Sequence, residues 1–241
     1  LGFQLPFLRI ERRLPRPRVV AKGEEDRVGS AGVRRVFTLM LPAVFGVSVA
    51  QINLLVNTIL ASFLVTGSVS WLYYSDRLME FPLGVFGIAL ATVILPALST
   101  QVAGNSTGIY FRTIDWALGL VMIVTIPAMV ALASLAYPLM VVLFHYGEFS
   151  SHDALMASYS LMAFSPGLLG FVMVKVLAPG FYAREDTRTP VRVGMVAMLV
   201  NALAAGVLTL VFQLGHVGLA LATSISGLLN AVLLYHYLAR D

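Results

Sequence analysis

Six long apolar stretches constrain this chain more than any other feature of its sequence. A helix needs about 20 residues to cross roughly 30 Å of hydrocarbon. Stretches of that length run approximately over residues 36–64, 71–98, 114–144, 154–178, 191–214 and 217–238, and residues 1–8 have the composition of the end of another. Only 12% of the 241 residues are charged, against about a quarter in soluble domains. We therefore predict an all-α, polytopic transmembrane helix bundle.

A charged segment separates the apolar tail at 1–8 from the six spans. Residues 9–35 contain nine Lys and Arg residues, two prolines and three glycines, a composition typical of a surface linker. We predict a cytoplasmic basic linker between two halves of a transporter, then a six-helix lobe over 36–238 and a cytoplasmic end over 239–241. Because the chain begins with Leu1 and not with methionine, we expect it to be a piece of a longer protein.

Lysine and arginine are distributed asymmetrically between alternate loops. Fourteen of the sixteen lie in residues 9–35, at 112, at 184, 188 and 192, or at 240, whereas loops 65–70, 146–153 and 215–216 contain none. By the positive-inside rule, the loops 9–35, 99–113 and 179–190 are predicted to be cytoplasmic. The net charge of +4 is then explained by topology and by contact with anionic membrane lipids, not by nucleic acid.

Three charged residues fall inside the second predicted span. Asp76, Arg77 and Glu80 are spaced so that all three can share one helix face. A charge in the bilayer centre costs at least about 2.5–3.5 kcal/mol, so such residues usually face a bundle interior or a water-filled cavity. One interpretation is that Arg77 only forms an ion pair with Glu80 or Asp76, or that its side chain snorkels to the outer membrane interface. The other is that Arg77 projects into a cavity and binds an anionic group, while Asp76 and Glu80 hold its guanidinium.

Other polar residues within the spans allow two readings each. Lys175 lies near the cytoplasmic end of the fourth predicted span, where its long side chain could snorkel to the headgroups or could line a cavity. Asn57 and Asn201 could bridge helices by hydrogen bonds, or could coordinate a cation together with backbone carbonyls. The residues alone do not discriminate between these readings.

Enzyme signatures are absent from the sequence. It contains no HExxH, G-x-S-x-G, P-loop or G-x-G-x-x-G motif. With no cysteine, disulfides, thiolate metal sites and cysteine nucleophiles are excluded, and its four histidines are scattered without the spacing of metal ligands. We predict no catalytic residues, no metal site, no cofactor and a function other than catalysis.

Four longer stretches resemble one known family. "RRVFTLMLPAVFGVSVAQINLLVNTILASFL" (34–64), "GSVSWLYYSDRLMEFPLGVFGIALATVILPALS" (67–99), "LFHYGEFS" (143–150) and "VKVLAPGFYAREDTRTPV" (174–191) are similar to the MurJ (MviN) family of lipid II flippases, within the MOP exporter superfamily. Family members have fourteen transmembrane helices in two lobes with a MATE-like fold. The resemblance implies that this chain is the end of helix six, the inter-lobe linker and helices seven to twelve, so the second lobe only.

The resemblance also implies a function. Family members move lipid II, an undecaprenyl-pyrophosphate-linked disaccharide-pentapeptide, across the bacterial cytoplasmic (inner) membrane by alternating access, for cell wall synthesis. Arg77 in "SDRLMEFP" falls on the cavity arginine of the family's second lobe, and Asp76 and Glu80 match the same motif. The implied partners are lipid II, membrane lipids, the first lobe and the last two helices. The energy source, an ion gradient or the membrane potential, is not implied by any residue.

Three rival functions remain open at this point. A multidrug or cation antiporter of the same superfamily would favour an acidic cavity. Another polyprenyl-oligosaccharide flippase of the same superfamily is a further alternative. A non-transporting membrane scaffold for wall-synthesis enzymes would depend on the loop at residues 184–192 and not on Arg77.

Overall fold

The computed structural model describes residues 44, 48, 51–104 and 106–240. The predicted helix tail at 1–8, the linker at 9–35, the start of the first predicted span and residue 241 lie outside the described residues. The part that is described belongs to one compact unit, Pro42–Asp241. Every regular element in it is a helix, so the predicted all-α membrane bundle is confirmed.

Seven helices lie within the described ranges. They are α1 (Gln51–Ser62), α2 (Ser68–Ala103), α3 (Thr107–Ser134), α4 (Ala136–Phe144), α5 (Ser151–Ala183), α6 (Arg188–Val211) and α7 (Gly215–Arg240). Five of them, α2, α3, α5, α6 and α7, are long and apolar enough to cross a membrane. The predicted spans at 71–98, 154–178, 191–214 and 217–238 each correspond to one of these helices.

The apolar stretch at 114–144 is divided in the structure, unlike the single span expected from the sequence. Helix α3 ends at Ser134 and α4 begins at Ala136, with Leu135 between them at φ −98° and ψ 12°. The backbone N–H of Leu135 still donates to the carbonyl of Ala131, and Leu139 donates to Leu135. The break is therefore local, because hydrogen bonds of the helical ladder are still made on both sides of Leu135.

Helix α5 is the centre of the bundle. It packs against α2, α3, α4 and α7, and its buried residues are spread around the whole circumference, as expected for a helix surrounded by other helices. Its approach to α7 is the closest, because a Cβ atom added at Gly170 would lie 2.5 Å from the carbonyl carbon of Gly227. Small residues allow membrane helices to approach this closely. Ser224 of α7 adds a hydrogen bond from its Oγ to the carbonyl of Ala163, at 2.7 Å.

Helix α2 is interrupted by a π-helical turn. Ser68–Pro82 is α-helical, Leu83–Ile88 is π-helical and Ala89–Ala103 is α-helical again. The π turn directly follows Pro82, whose ring removes one backbone donor from the helix. Such turns are frequent at functional sites. This one begins one helical turn after the charged residues of α2.

Turn residues determine where α2 and α5 begin, at the same end of the bundle. Gly67 precedes α2 at φ 102°, a left-handed conformation suited to glycine, and a Cβ there would lie 2.7 Å from the Trp71 ring. Ser150 and Asp153 form a capping box at the start of α5: the Ser150 N–H donates to Asp153 at 2.9 Å, and the Asp153 N–H donates to Ser150 at 3.2 Å.

Candidate functional site

Arg77 projects from the first segment of α2 (Ser68–Pro82) and is held by residues of the same helix. Its Nη1 lies 2.6 Å from Glu80 Oε2, one turn further along α2. Its Cζ lies 5.0 Å from the centroid of the Tyr73 ring, within the range of a cation–π contact. Both interactions come from α2, so the Arg77–Glu80 pair does not join two helices of the described bundle.

The face that carries this pair is open. The side chains of Arg77 and Glu80 are 53% and 49% exposed, and Phe81 beside them is 73% exposed. Arg77 follows the start of α2 at Ser68 by nine residues, which places it about 14 Å along the helix, inside the second predicted span. Because a charged pair at that depth is costly against hydrocarbon, this face is expected to meet water or protein.

Neither Asp76 nor Lys175 forms an ion pair with Arg77, whose partner is Glu80. Asp76 is partly buried on α2. Lys175 projects from α5 with an exposed side chain, and a Cβ at Gly87 of the π turn would lie 3.3 Å from its Cγ. Gly87 follows Arg77 by ten residues, or about 15 Å along the helix. Arg77 and Lys175, the two basic residues predicted to lie inside the spans, are therefore separated by about 15 Å along the axis of α2.

Asn57 and Asn201 meet at a third residue, Thr223. The Nδ2 atoms of Asn57 on α1 and Asn201 on α6 both donate to Thr223 Oγ1 on α7, at 3.4 and 3.3 Å. Asn201 Nδ2 also lies 3.4 Å from Ser226 Oγ. Asn201 is fully buried. The structure thus brings the two sequence-predicted asparagines into one polar cluster, which we call the asparagine cluster (Asn57, Asn201, Thr223 and Ser226).

The two amide oxygens of this cluster have no hydrogen-bond donor in the part of the chain that the structure describes. Among the described residues, Asn57 Oδ1 and Asn201 Oδ1 are buried without a partner. A buried acceptor left in this state costs about 1–3 kcal/mol. Oxygen dipoles without formal charge are the ligands that replace the hydration shell of monovalent cations in channel filters. The arrangement can therefore bind a small cation or water, and no group of three or more His, Asp or Glu residues in the described ranges offers a site of the carboxylate or histidine type.

Sequence reasoning did not identify Thr223 and Ser226. Threonine and serine are common in membrane helices, where they usually bond to the preceding turn, as Thr223 does to Leu219 O at 2.9 Å. The available signal was their spacing with Asn230, at i, i+3 and i+7 on α7, which places three polar residues on one helix face.

A second cluster fixes the N-terminal end of α2 and therefore the position of Arg77. Trp71 Nε1 donates to Asp153 Oδ1 of α5 at 2.7 Å, and its ring packs edge-on against the His216 ring of α7, with centroids 4.8 Å apart. His216 Nε2 lies 3.2 Å from the carbonyl oxygen of Met156. One turn further, Ser75 Oγ lies 2.7 Å from the carbonyl of Ala157. Three helix ends are thus joined around Trp71.

The opposite end of the bundle is fixed by the connection between α5 and α6. Tyr110 of α3 donates its hydroxyl to Gly180 O at 2.9 Å, and the Arg184 guanidinium lies over the Tyr110 ring at 4.4 Å. Asp186 accepts from the backbone N–H groups of Arg188 and Thr189 at 2.9 and 3.1 Å, which caps α6. Burial alone would raise the pKa of Asp186, but these hydrogen bonds outweigh it and hold the pKa below its ordinary value of 3.8.

Comparison with known proteins places the chain in a family of transporters. The family model described as lipid II flippase MurJ matches residues 2–241. The chain is 54% identical over 234 residues to a probable lipid II flippase MurJ of Vibrio cholerae, covering 97% of this chain and 43% of the relative. It is 48% identical over 244 residues to the Haemophilus influenzae protein of the same name, covering 99% and 46%. The chain thus spans less than half the length of these two curated relatives.

Solved structures agree with this assignment. A lipid II flippase MurJ in an inward closed conformation superposes with a TM-score of 0.76 at 27% identity, covering 99% of this chain and 49% of that one. An outward-facing multidrug resistance MATE transporter of the MOP superfamily superposes with a TM-score of 0.74 at 16% identity, covering 84% and 44%, and that likeness shows the fold alone. The predicted MATE-like fold is confirmed. The chain is a multi-pass membrane protein, and it belongs to the lipid II flippase MurJ family.

Proposed function

We propose that this chain forms the second lobe of a flippase that carries lipid II across the bacterial cytoplasmic membrane by alternating access. The half-exposed Arg77–Glu80 pair within a helix long and apolar enough to cross a membrane is the observation that carries this proposal, together with membership of the family. On this proposal the first lobe and the last two helices come from the rest of the full-length protein. The open face of α2 then borders the cavity between the lobes.

Arg77 would act as an anion contact for the pyrophosphate. Removing phosphates from water is costly, and a guanidinium in a cavity offsets part of that cost through charge-assisted, bidentate hydrogen bonds. The guanidinium has five N–H donors, and Glu80 accepts from Nη1. Glu80 and Tyr73 hold the group in place while the remaining donors face the open side. Lys175 would supply a further positive charge, about 15 Å along α2 towards the cytoplasmic end.

Topology follows the distribution of basic residues. We infer that the α3 start at Thr107 and the α5–α6 connection lie on the cytoplasmic side, with the Trp71 cluster on the outer side. The lobe would therefore present Arg77 in the outer half of the cavity. A substrate entering from the cytoplasm would meet Lys175 first and Arg77 second.

The asparagine cluster is proposed as a site for a monovalent coupling cation. Its amide and hydroxyl oxygens are contributed by three different helices, α1, α6 and α7. A cation bound there would draw these helices together and so could bias the lobe between two arrangements. Energy would then come from an ion gradient, from the membrane potential, or from both.

Substitution of Arg77 in the full-length protein tests the proposal. The resident flippase is depleted, and lipid II exposed on the outer leaflet is measured in cells that express Arg77→Ala or Arg77→Lys at normal levels. We expect export to fall about tenfold or more in Arg77→Ala, because a charged hydrogen bond contributes ~1.5–3 kcal/mol. Arg77→Lys keeps the positive charge but lacks the planar guanidinium that can donate two parallel hydrogen bonds, so it should restore part of the lipid II export.

Arg112→Ala is the matched control. Arg112 is an exposed arginine of the same lobe, near the start of α3, and its removal should leave export unchanged. Normal export by both Arg77 variants would contradict the proposed role and would favour a purely structural ion pair.

A further inference from the structure

The stretch "LFHYGEFS" (143–150), one of the four that resemble the family, contains the connection between α4 and α5 and none of the residues assigned to the substrate. The connection is a tight turn, in which the N–H groups of Tyr146 and Phe149 donate to the carbonyls of Phe144 and Tyr146, at 2.7 and 3.2 Å. Gly147 within it has φ 61°, a left-handed conformation that favours glycine. The capping box of α5 follows directly. The backbone that carries Phe149 is therefore held on both sides.

Both phenylalanines of this stretch contact the ring of Tyr74 on α2. The centroid of the Tyr74 ring lies 4.8 Å from that of Phe144, with the planes at 45°, and 4.9 Å from that of Phe149, with the planes at 73°. These separations fall within the range of about 4.5–7 Å at which aromatic pairs are stabilising. All three rings are partly buried and pack against the core of the bundle. Because the end of α4 and the turn both contact one ring, Tyr74 is held in one orientation.

Tyr74 contacts the neighbouring ring of Tyr73 in turn. The two centroids are 5.6 Å apart and the planes meet at 78°, an edge-on arrangement. Tyr73 is 53% exposed, so this contact restricts a ring that would otherwise be free to move on the open face of α2. The Cζ atom of Arg77 lies over the Tyr73 ring, 5.0 Å from its centroid. A continuous set of ring contacts thus leads from the α4–α5 connection to the guanidinium, and we call it the aromatic row (Phe144, Phe149, Tyr74 and Tyr73).

The orientation of Arg77 matters because its side chain is long and half-exposed. Arginine is among the side chains that lose the most rotamer freedom when they become ordered. An anion that meets a guanidinium already held in place avoids that loss, so preorganisation raises its affinity. Glu80 holds the group through Nη1, and the Tyr73 ring supports it from one side. The ring can do so only while its own orientation is fixed.

We propose that the aromatic row positions the guanidinium of Arg77 for the pyrophosphate, so that the connection between α4 and α5 sets how tightly the lobe binds its substrate. On this proposal Phe144, Phe149 and Tyr74 are positioning residues, and none of them needs to touch the substrate. The effect on substrate affinity rests on the proposed function, whereas the positioning of Arg77 is a property of this lobe alone.

A double-mutant cycle in the full-length protein tests the proposal. Binding of fluorescent lipid II to the purified protein in detergent is measured by anisotropy for wild type, Phe149→Leu, Arg77→Ala and the double variant. We expect Phe149→Leu to weaken binding about threefold to tenfold when Arg77 is present, the effect of one aromatic contact. In the Arg77→Ala background it should have no further effect, because a purely structural change would act equally in both backgrounds. Equal losses in both backgrounds, or no loss beside Arg77, would overturn the role in binding.

Phe111→Leu is the matched control. Phe111 is also partly buried and packs edge-on against a tyrosine, Tyr110, with centroids 5.3 Å apart, at the opposite end of the bundle. Its replacement should leave the affinity for lipid II unchanged in both backgrounds. Thermal unfolding shows whether each variant is folded, and if Phe149→Leu is not, Phe144→Leu removes the other contact of Tyr74 and takes its place in the cycle.

A conservative variant separates the ring from the hydroxyl group. Tyr74→Phe keeps the ring contacts and should bind lipid II like wild type, whereas Tyr74→Leu should lose as much affinity as Phe149→Leu. Equal losses in Tyr74→Phe and Tyr74→Leu would contradict a role of the ring contacts.

Reaction of Arg77 with phenylglyoxal measures its positioning without any substrate. The rate is followed at the Arg77 peptide by mass spectrometry, in the full-length protein free of lipid II. We expect Phe149→Leu and Tyr74→Leu to react severalfold faster than wild type, since a guanidinium released from the Tyr73 ring is more accessible, and Phe111→Leu to react at the wild-type rate. Wild-type rates in all three variants would overturn the positioning. Lipid II binding unaffected by Arg77→Ala would refute the proposed function, while the phenylglyoxal rates still decide whether the aromatic row positions Arg77.

Discussion

Replacing Gly170 by alanine should destabilise the lobe far more than the addition of one methyl group suggests. The new Cβ would lie 2.5 Å from the carbonyl carbon of Gly227, 2.6 Å from its oxygen and 2.6 Å from the backbone nitrogen of Leu228. All three atoms belong to the α7 backbone, so no side chain can rotate away. Helices α5 and α7 would have to separate by about 1 Å to reach an ordinary carbon–carbon distance of ~3.5–4.0 Å.

The expected loss of stability follows from the contacts between α5 and α7 that this separation would weaken. Overpacking a well-packed interior costs about 1–3 kcal/mol. The Ser224–Ala163 hydrogen bond, now 2.7 Å long, would lengthen at the same crossing, and bonds between membrane helices contribute about 0.6 kcal/mol on average. We therefore expect a loss of about 2–4 kcal/mol in the free energy of unfolding.

Thermal unfolding of the purified full-length protein in detergent provides the assay, with Gly119→Ala as the matched control. Gly119 lies within α3, where an added Cβ meets no atom within 4 Å. Alanine should leave stability unchanged there or raise it by about 0.5–1 kcal/mol, because glycine is the poorer helix former. If Gly170→Ala unfolds at the same temperature as Gly119→Ala, the backbone contact between α5 and α7 does not hold the bundle together, and the reasoning fails.

Two further predictions concern the two ends of the bundle. Trp71→Phe replaces the indole by a smaller phenyl ring and removes the donor to Asp153, so we expect a loss of at least about 1 kcal/mol in the free energy of unfolding; an unchanged unfolding midpoint would contradict the role of this bond. Asp186→Ala removes the cap of α6 and should cost about 0.5–2 kcal/mol at neutral pH. The pKa of Asp186 is lowered on folding, so its electrostatic contribution is fully present above the unfolded value near 3.8 and is lost as the pH falls through the lower folded value. The difference between wild type and Asp186→Ala in unfolding midpoint should therefore shrink below pH 3.8, and a difference that widens there would refute the assignment.

The positions of the membrane helices were largely predictable from hydropathy, and the departures have identifiable causes. The break at Leu135 lies within an unbroken apolar stretch, and the prolines that flank it, at 127 and 138, do not mark its position. The π turn at Leu83–Ile88 could not be predicted from the sequence either, because it depends on how the two halves of α2 pack against α5. Hydropathy reports burial in lipid and carries no signal for a change of hydrogen-bond register.

The candidate site was only partly predictable. Charges in an apolar span are conspicuous, so Arg77, Asp76 and Glu80 could be named from the sequence, but the exposure of the pair on a face that α5 does not cover needed the structure. Asn57 and Asn201 were named as separate candidates, 144 positions apart in the sequence. Their meeting at Thr223 depends on the packing of three helices, which no local pattern encodes.

The π turn of α2 has a consequence for insertions and deletions. The buried residues of α2 form one row, and they are spaced by three, four or seven residues, which is one or two helical turns, except across the π turn, where Gly87 follows Pro82 by five. The fully buried members of this row are Ser68, Trp71, Ser75, Met79, Pro82, Gly87, Ile94 and Leu98. The turn thus has the geometry of a single extra residue accommodated in a helix. Removing one residue between 83 and 86 would restore a regular α-helix and keep both halves of the row towards α5, whereas a deletion elsewhere in α2 would rotate one half of the row away from it.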